Sequence, residues 1–316
     1  MPTPIKCADL VESIAASLQY ISAALMRRCS RLGMRTLIAS LALLPLAETL
    51  HAQDRAASFS IYDPAVTFEP GLHEMGLFTS ISNKTFRPSG TGPWPAVVIG
   101  HTCGGVGNAH IRLRAKELLM AGFAVLTTDS YGPRGVSQCR GQTKVDTRHQ
   151  VIDGYGAIRH LRQFQEIDAS RIYYVGYSAG GIAAAQLAST RLAPDQPPLR
   201  FRAIVSNYAS CVFQWGPTTL RSELLMPDAD TPLLMLMADR DNELRASDCF
   251  PLLEQMKAAG KPVEWHIYKD TYHAWDQPGV RFSITNGFGQ STEYFYSATA
   301  TKDSTARMIE FFGRHR

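Results

Sequence analysis

The stretch Arg171–Ser189, RIYYVGYSAGGIAAAQLAS, joins an apolar run to an Ala-rich run through Gly-Tyr-Ser-Ala-Gly-Gly. The first run, aromatic and β-branched, reads as a buried strand, and the second reads as a helix. Gly176-Tyr177-Ser178-Ala179-Gly180 fits G-x-S-x-G, a pattern that sets a serine on a sharp, strained strand-to-helix turn. Side chains two residues before and after that serine would collide across the turn, and glycine at 176 and 180 removes the collision. Ala183, Ala184, Ala185 and Ala188 let the helix lie close to a sheet. The helix N-terminus faces the turn and favours negative charge developing there. A chance pentapeptide would lack these flanks, so Ser178 is read as a nucleophile.

Working outward, the chain alternates strand and helix signals. SFSIY (58–62) and GLFTSI (76–81) read as entry strands, PWPAVVIGH (93–101) as a buried strand, and AHIRLRAKELLMAG (109–122) as a helix closed by Gly122. FAVLTTD (123–129) is the next strand. In TRHQVIDGYGAIRHLRQF (147–164), Val151, Tyr155, Ile158 and Leu161 share one side of a helix. After the serine come strands at 201–208, 231–239 and 262–268 and helices at 246–259 and 302–313. This pattern predicts an α/β domain, a mostly parallel central sheet with helices on both faces. In such sheets ligands gather at the carboxyl ends of the strands.

A serine hydroxyl needs a base held by an acid, and this turn implies the chain order Ser, Asp or Glu, His. Three histidines follow Ser178. His266 sits inside an alternating strand and His315 in a basic tail. His273, in the loop after the last strand, is the expected base. The acid belongs to the loop after LLMLMAD, where Asp241 is preferred over Asp239, and Glu243 also qualifies. An oxyanion hole takes two preorganised N–H donors. One is assigned to Ala179. The other is assigned to Cys103 with Thr102 as alternative, and His101 is read as a packing and hydrogen-bonding residue.

VVIGHTCGG, LTTDSYGPRG, GYSAGG, MADRDNE and YHAWD stand in the order found in the dienelactone hydrolase-like branch of the α/β-hydrolase superfamily, and residues 90–313 resemble it. The resemblance implies an α/β-hydrolase fold and a hydrolase without metal or other cofactor, with nucleophile Ser178, acid Asp241 and base His273. The resemblance also has departures. A serine stands where dienelactone hydrolases proper carry cysteine, which points to ordinary esters, and His101-Thr102 replaces the usual His-Gly. Tyr131, Arg134, Tyr177 and Trp275 are candidate substrate contacts. For Arg134 a second reading, preferred, is a brace of its own turn through Asp129 or backbone carbonyls. The segment 277–301 is longer than the usual link to the last helix, and its Phe282, Phe288, Tyr294, Phe295 and Tyr296 either cover an acyl pocket or form a surface flap.

The chain has 316 residues. Residues 26–35 form a basic n-region and 36–47 an apolar h-region, with Ala52 as a cleavage point, which is the plan of a secretory signal peptide. Residues 1–25 fit no such plan, and a start at Met26 or Met34 would account for them. The expectation is a leader over 1–52 and one hydrolase domain over 53–316, exported to the periplasm or medium, with no stable membrane span after cleavage. Loss of the leader takes five basic and three acidic residues and lowers the net charge from +4 to +2. Basic residues are scattered, so nucleic acid is not an expected partner, and a small-molecule ester or lactone is. The oligomeric state is open. Cys103, Cys139, Cys211 and Cys249 allow two disulfides in three pairings, or four free buried thiols. Two rival classes are weaker. An NAD-binding oxidoreductase would use the Gly-rich turn at 104–107, but its third glycine would fall on His110. A binding protein on an inactive hydrolase scaffold would have no reason to keep all three triad residue types.

Overall fold

The computed structural model describes residues 72–74, 85–88, 90–139, 144–189, 191, 199–214, 221–285 and 291–316. The leader, the candidate strands at 58–62 and 76–81, and Phe288 lie outside the described residues.

The strands are β1 (Leu72–Glu74), β2 (Thr85–Pro88), β3 (Trp94–Gly100), β4 (Ala124–Thr128), β5 (Ile167–Tyr177), β6 (Ile204–Asn207), β7 (Val212–Gln214), β8 (Arg221–Glu223), β9 (Leu233–Ala238), β10 (Val263–Tyr268), β11 (Arg281–Thr285) and β12 (Ser291–Phe295). The helices are α1 (Ala109–Met120), α2 (Thr147–Leu161), α3 (Ala179–Leu187), α4 (Phe250–Ala258) and α5 (Ala298–Arg314). One sheet runs β1-β2-β4-β3-β5-β6-β9-β10, and β7–β8 and β11–β12 form two separate hairpins. From β4 to β10 the six neighbouring strands are parallel, and β1 and β2 join antiparallel at one edge.

Strand alternation divides the core. Ala96, Val98 and Tyr174 point to the face covered by α2, α3 and α4, while Val97, Ile99 and Tyr173 point to the face covered by α1 and α5. Both faces are therefore apolar, as a parallel sheet with helices on each side requires. The topology is the α/β-hydrolase fold, and it brings the carboxyl ends of β3, β5, β9 and β10 to one rim.

The observed bounds depart from the expected ones where side chains cap the helices. The last helix starts at Ala298 rather than 302, because the Ser297 hydroxyl accepts from the Ala300 amide at 3.2 Å. The helix expected over 246–259 opens as a 3-10 turn, Ala246–Asp248, and becomes α-helical at Phe250, with Pro251 in its first turn. Among the described residues no helix is long and apolar enough to cross a membrane.

Candidate active site

Ser178 sits between β5 and α3 with φ 53° and ψ −113°. A non-glycine residue holds such angles only when its surroundings enforce them. Here they do. A Cβ on Gly176 would stand 1.8 Å from the Gly180 carbonyl oxygen, and one on Gly180 would stand 2.3 Å from that of Gly100. The Ser178 amide donates to Asn207 O (3.1 Å) and the Gly180 amide to His101 O (3.0 Å), tying the turn to the ends of β6 and β3.

Two later loops meet the serine. His273 follows β10, and the Ser178 hydroxyl donates to its Nε2 at 3.0 Å. His273 Nδ1–H donates to Asp241 Oδ2 at 2.7 Å. The other Asp241 oxygen accepts the Glu243 and Leu244 amides (3.0 and 2.9 Å), which fixes the carboxylate. All three side chains are buried, Ser178 the least, at 8% exposed. Asp239 instead lies near Lys269 and the Thr271 amide. His266 packs on Tyr268 and His315 on Phe311.

A hollow of about 300 Å³ opens over Ser178 and His273, with Thr102, Cys103 and Gly104 along one wall. Neither the Cys103 nor the Ala179 amide donates to an acceptor among the described residues. Phe282, Ile284 and Tyr294 of the β11–β12 hairpin also line it, and Phe282 stacks on Tyr294 at 4.7 Å. The extra segment thus supplies apolar cover, although Tyr296 points elsewhere, exposed near Arg114 and Glu117.

The four candidate substrate contacts are not in this hollow. Arg134 forks onto Asp153, both bonds 2.8 Å, and donates to Ser130 O at 2.8 Å. It braces its own turn through the Ser130 carbonyl, as expected, and also through Asp153, which was not expected; Asp129 Oδ1 accepts the Tyr131 and Gly132 amides. Burial pushes the Asp153 carboxyl up, and the Arg134 guanidinium counters that. Tyr131 packs edge-on against His101 under the wall, and burial pushes its hydroxyl up to about 12. Tyr177 packs on His110 behind the serine. Trp275 is fully buried between Tyr208, Tyr268 and the Ser304 hydroxyl.

Sequence reasoning missed several neighbours. Tyr208 (φ 37°) packs edge-on against the His273 ring at 5.0 Å, and its hydroxyl donates to buried Asp276 at 2.8 Å. Asn108 and Gln277, 169 positions apart, hydrogen-bond at 3.3 Å on the wall, a pairing with no local signal. Glu243, weighed only as the acid, accepts from Tyr294 Oη, and its Oε2 lies 3.7 Å from His273 Nε2. Among the described residues no group of three or more His, Cys, Asp and Glu is placed to hold a metal.

The profile of the dienelactone hydrolase family matches residues 81–316. The chain belongs to that family. It is a hydrolase acting on ester bonds. A probable 2-oxo-3-(5-oxofuran-2-ylidene)propanoate lactonase of Bradyrhizobium sp. is 26% identical over 198 residues, 60% of this chain and 77% of that protein. The crystal structure of a putative dienelactone hydrolase from Klebsiella pneumoniae superposes with a TM-score of 0.59 at 18% identity, covering 77% of this chain and 98% of the other. The apo form of Thermogutta terrifontis esterase 2 gives 0.55 at 18% identity, covering 80% and 97%. These two likenesses establish the fold.

Proposed function

We propose that the chain is a serine hydrolase that cleaves carboxylic esters through an acyl-enzyme, with Ser178 as nucleophile, His273 as base and Asp241 as the acid that orients it. The observation that carries this reading is the unbroken line Ser178 Oγ–His273 Nε2 (3.0 Å) and His273 Nδ1–Asp241 Oδ2 (2.7 Å) beneath an open hollow. Ser178 attacks the ester carbonyl as its proton passes to Nε2. Asp241 holds Nδ1–H in place and stabilises the imidazolium. The Ala179 and Cys103 amides receive the oxyanion. Nε2–H then protonates the leaving alcohol, and a water deprotonated by His273 releases the acid.

Ser178→Ala is expected to lower kcat on p-nitrophenyl acetate by about 10⁵–10⁶-fold. Near-native turnover by that variant would end the proposal. A second reading, a lactone hydrolase of the dienelactone type, is favoured by the relative described as a lactonase. A panel of lactones beside p-nitrophenyl esters of rising acyl length decides between them by kcat/KM.

We also propose that the mature protein is exported as residues 53–316 after removal of the leader. The leader pattern supports this, as do two disulfides, Cys103–Cys139 and Cys211–Cys249, which persist in oxidising compartments. N-terminal sequencing of protein from the periplasmic fraction should begin at Gln53, and a cytosolic chain with an intact leader would contradict it.

A further inference from the structure

The loop after β3 and the loop after β4 are joined at three points beside Ser178. The Ser130 amide donates to His101 Nε2 at 3.2 Å. The Cys139 amide donates to Cys103 O at 2.9 Å. The third link is covalent, the Cys103–Cys139 disulfide. Within the first loop the Thr102 carbonyl is held twice, by the Gly105 amide at 3.0 Å and by His101 Nδ1–H at 2.7 Å. In a trans peptide the N–H points opposite to the C=O. Anchoring Thr102 O on the turn therefore turns the Cys103 N–H away from it, while Cys103 lines the same hollow as Ser178. The two loops also touch without slack, since a Cβ on Gly105 would stand 2.9 Å from Ser137 O.

The two disulfides differ in access. Cys211 and Cys249 are 0% exposed, in the core with Met235 and Leu253. Cys103 and Cys139 are half-buried, and Gln138 beside them is exposed. A reductant in solution reaches the second pair first.

We propose that Cys139 is a positioning residue: through its disulfide it holds the Cys103 amide where the oxyanion forms, so that reducing this one bond slows turnover while leaving substrate binding nearly intact. The inference rests on the reading of Ser178 as a nucleophile. The oxyanion exists only in the transition state, so a displaced donor is felt in kcat and little in KM. Loss of one such donor lowers kcat by about 10²–10³-fold. Reduction leaves the hydrogen bonds of the loop in place, so the expected loss is smaller, about 10-fold or more.

The test uses the full mature chain and tris(2-carboxyethyl)phosphine as reductant. The phosphine gives two electrons to the S–S bond and takes oxygen from water as its oxide, and two thiols form. Turnover of p-nitrophenyl acetate is read on the reduced protein, and an aliquot is then alkylated so that peptide masses show which cysteines opened. The expected result is alkylation at Cys103 and Cys139 only, kcat lower by about 10-fold or more, KM within about threefold, an unchanged near-ultraviolet circular dichroism spectrum, and recovery on reoxidation. Cys139→Ser should match the reduced protein without any reductant. Unchanged kcat with the pair open would overturn the proposal, as would a rise in KM alone or a loss that follows the dichroism signal. The nucleophile reading fails separately, by oxidised protein whose turnover survives Ser178→Ala.

Discussion

The floor and the roof of the hollow are built on different terms. The floor, Ser178, Asp241 and His273, follows the ends of β5, β9 and β10 with all three side chains buried, and the turn at Ser178 is packed without free space. The roof, the β11–β12 hairpin, is largely exposed, with Phe282 47% exposed and stacked on Tyr294. Position on the floor is imposed by main chain against main chain, and position on the roof by a ring stack and the Tyr294–Glu243 hydrogen bond. Under the proposed mechanism the floor fixes the chemistry and the roof the range of esters.

That contrast can be attacked from either side. Asp241→Asn keeps the shape of the floor but favours the wrong imidazole tautomer, and kcat is expected to fall by about 10⁴-fold with KM little changed. A loss under tenfold would show that the floor does not act as a unit. Gly176→Ala pushes a methyl into the Gly180 carbonyl, and the displaced serine should lose at least about 10²-fold in kcat/KM, with soluble yield falling as well. Phe282→Ala removes about 1 kcal/mol of apolar cover, which predicts a roughly fivefold rise in KM for long acyl esters, little change for acetate, and constant kcat. A drop in kcat instead would move the roof into the chemistry. Tyr294→Phe, which removes one hydrogen bond of about 1 kcal/mol, should lower Tm by about 2–4 °C and leave acetate turnover within twofold.

The same division explains what could be read from the sequence. The elbow was legible because its demands are local: strand, glycine, serine, glycine and small-residue helix lie within 20 consecutive positions. The centre of the parallel sheet was legible because β3, β4, β6 and β9 are buried on both faces and read as apolar runs, while β10 at the edge alternates. The loops after β9 and β10 were legible by chain order, and Asp241 rather than Asp239 meets His273 because the Glu243 and Leu244 amides turn it inward. The roof was named as an acyl cover or a flap, and its hairpin register depends on pairings such as Phe282 with Tyr294 that no local pattern marks. The four expected substrate contacts lie outside the hollow for a related reason. Arg134 reads first as a brace, and Asp153, 19 residues on, gives no sign that it would be the partner. Trp275 and Tyr177 adjoin His273 and Ser178 in sequence, yet side chains next to one another on such a turn point to different faces.

The imidazole of His101 carries an implication for acid tolerance. One proton, on Nδ1, satisfies both its neighbours, because Thr102 O takes that hydrogen and the Ser130 amide supplies another to Nε2. A second proton would have to sit on Nε2, facing an N–H. Burial pushes the pKa of this ring below the ordinary 6.5, which favours its neutral form. Where the ring does take up a second proton, its contact with the Ser130 amide is lost and the two loops come apart at that point beside the hollow.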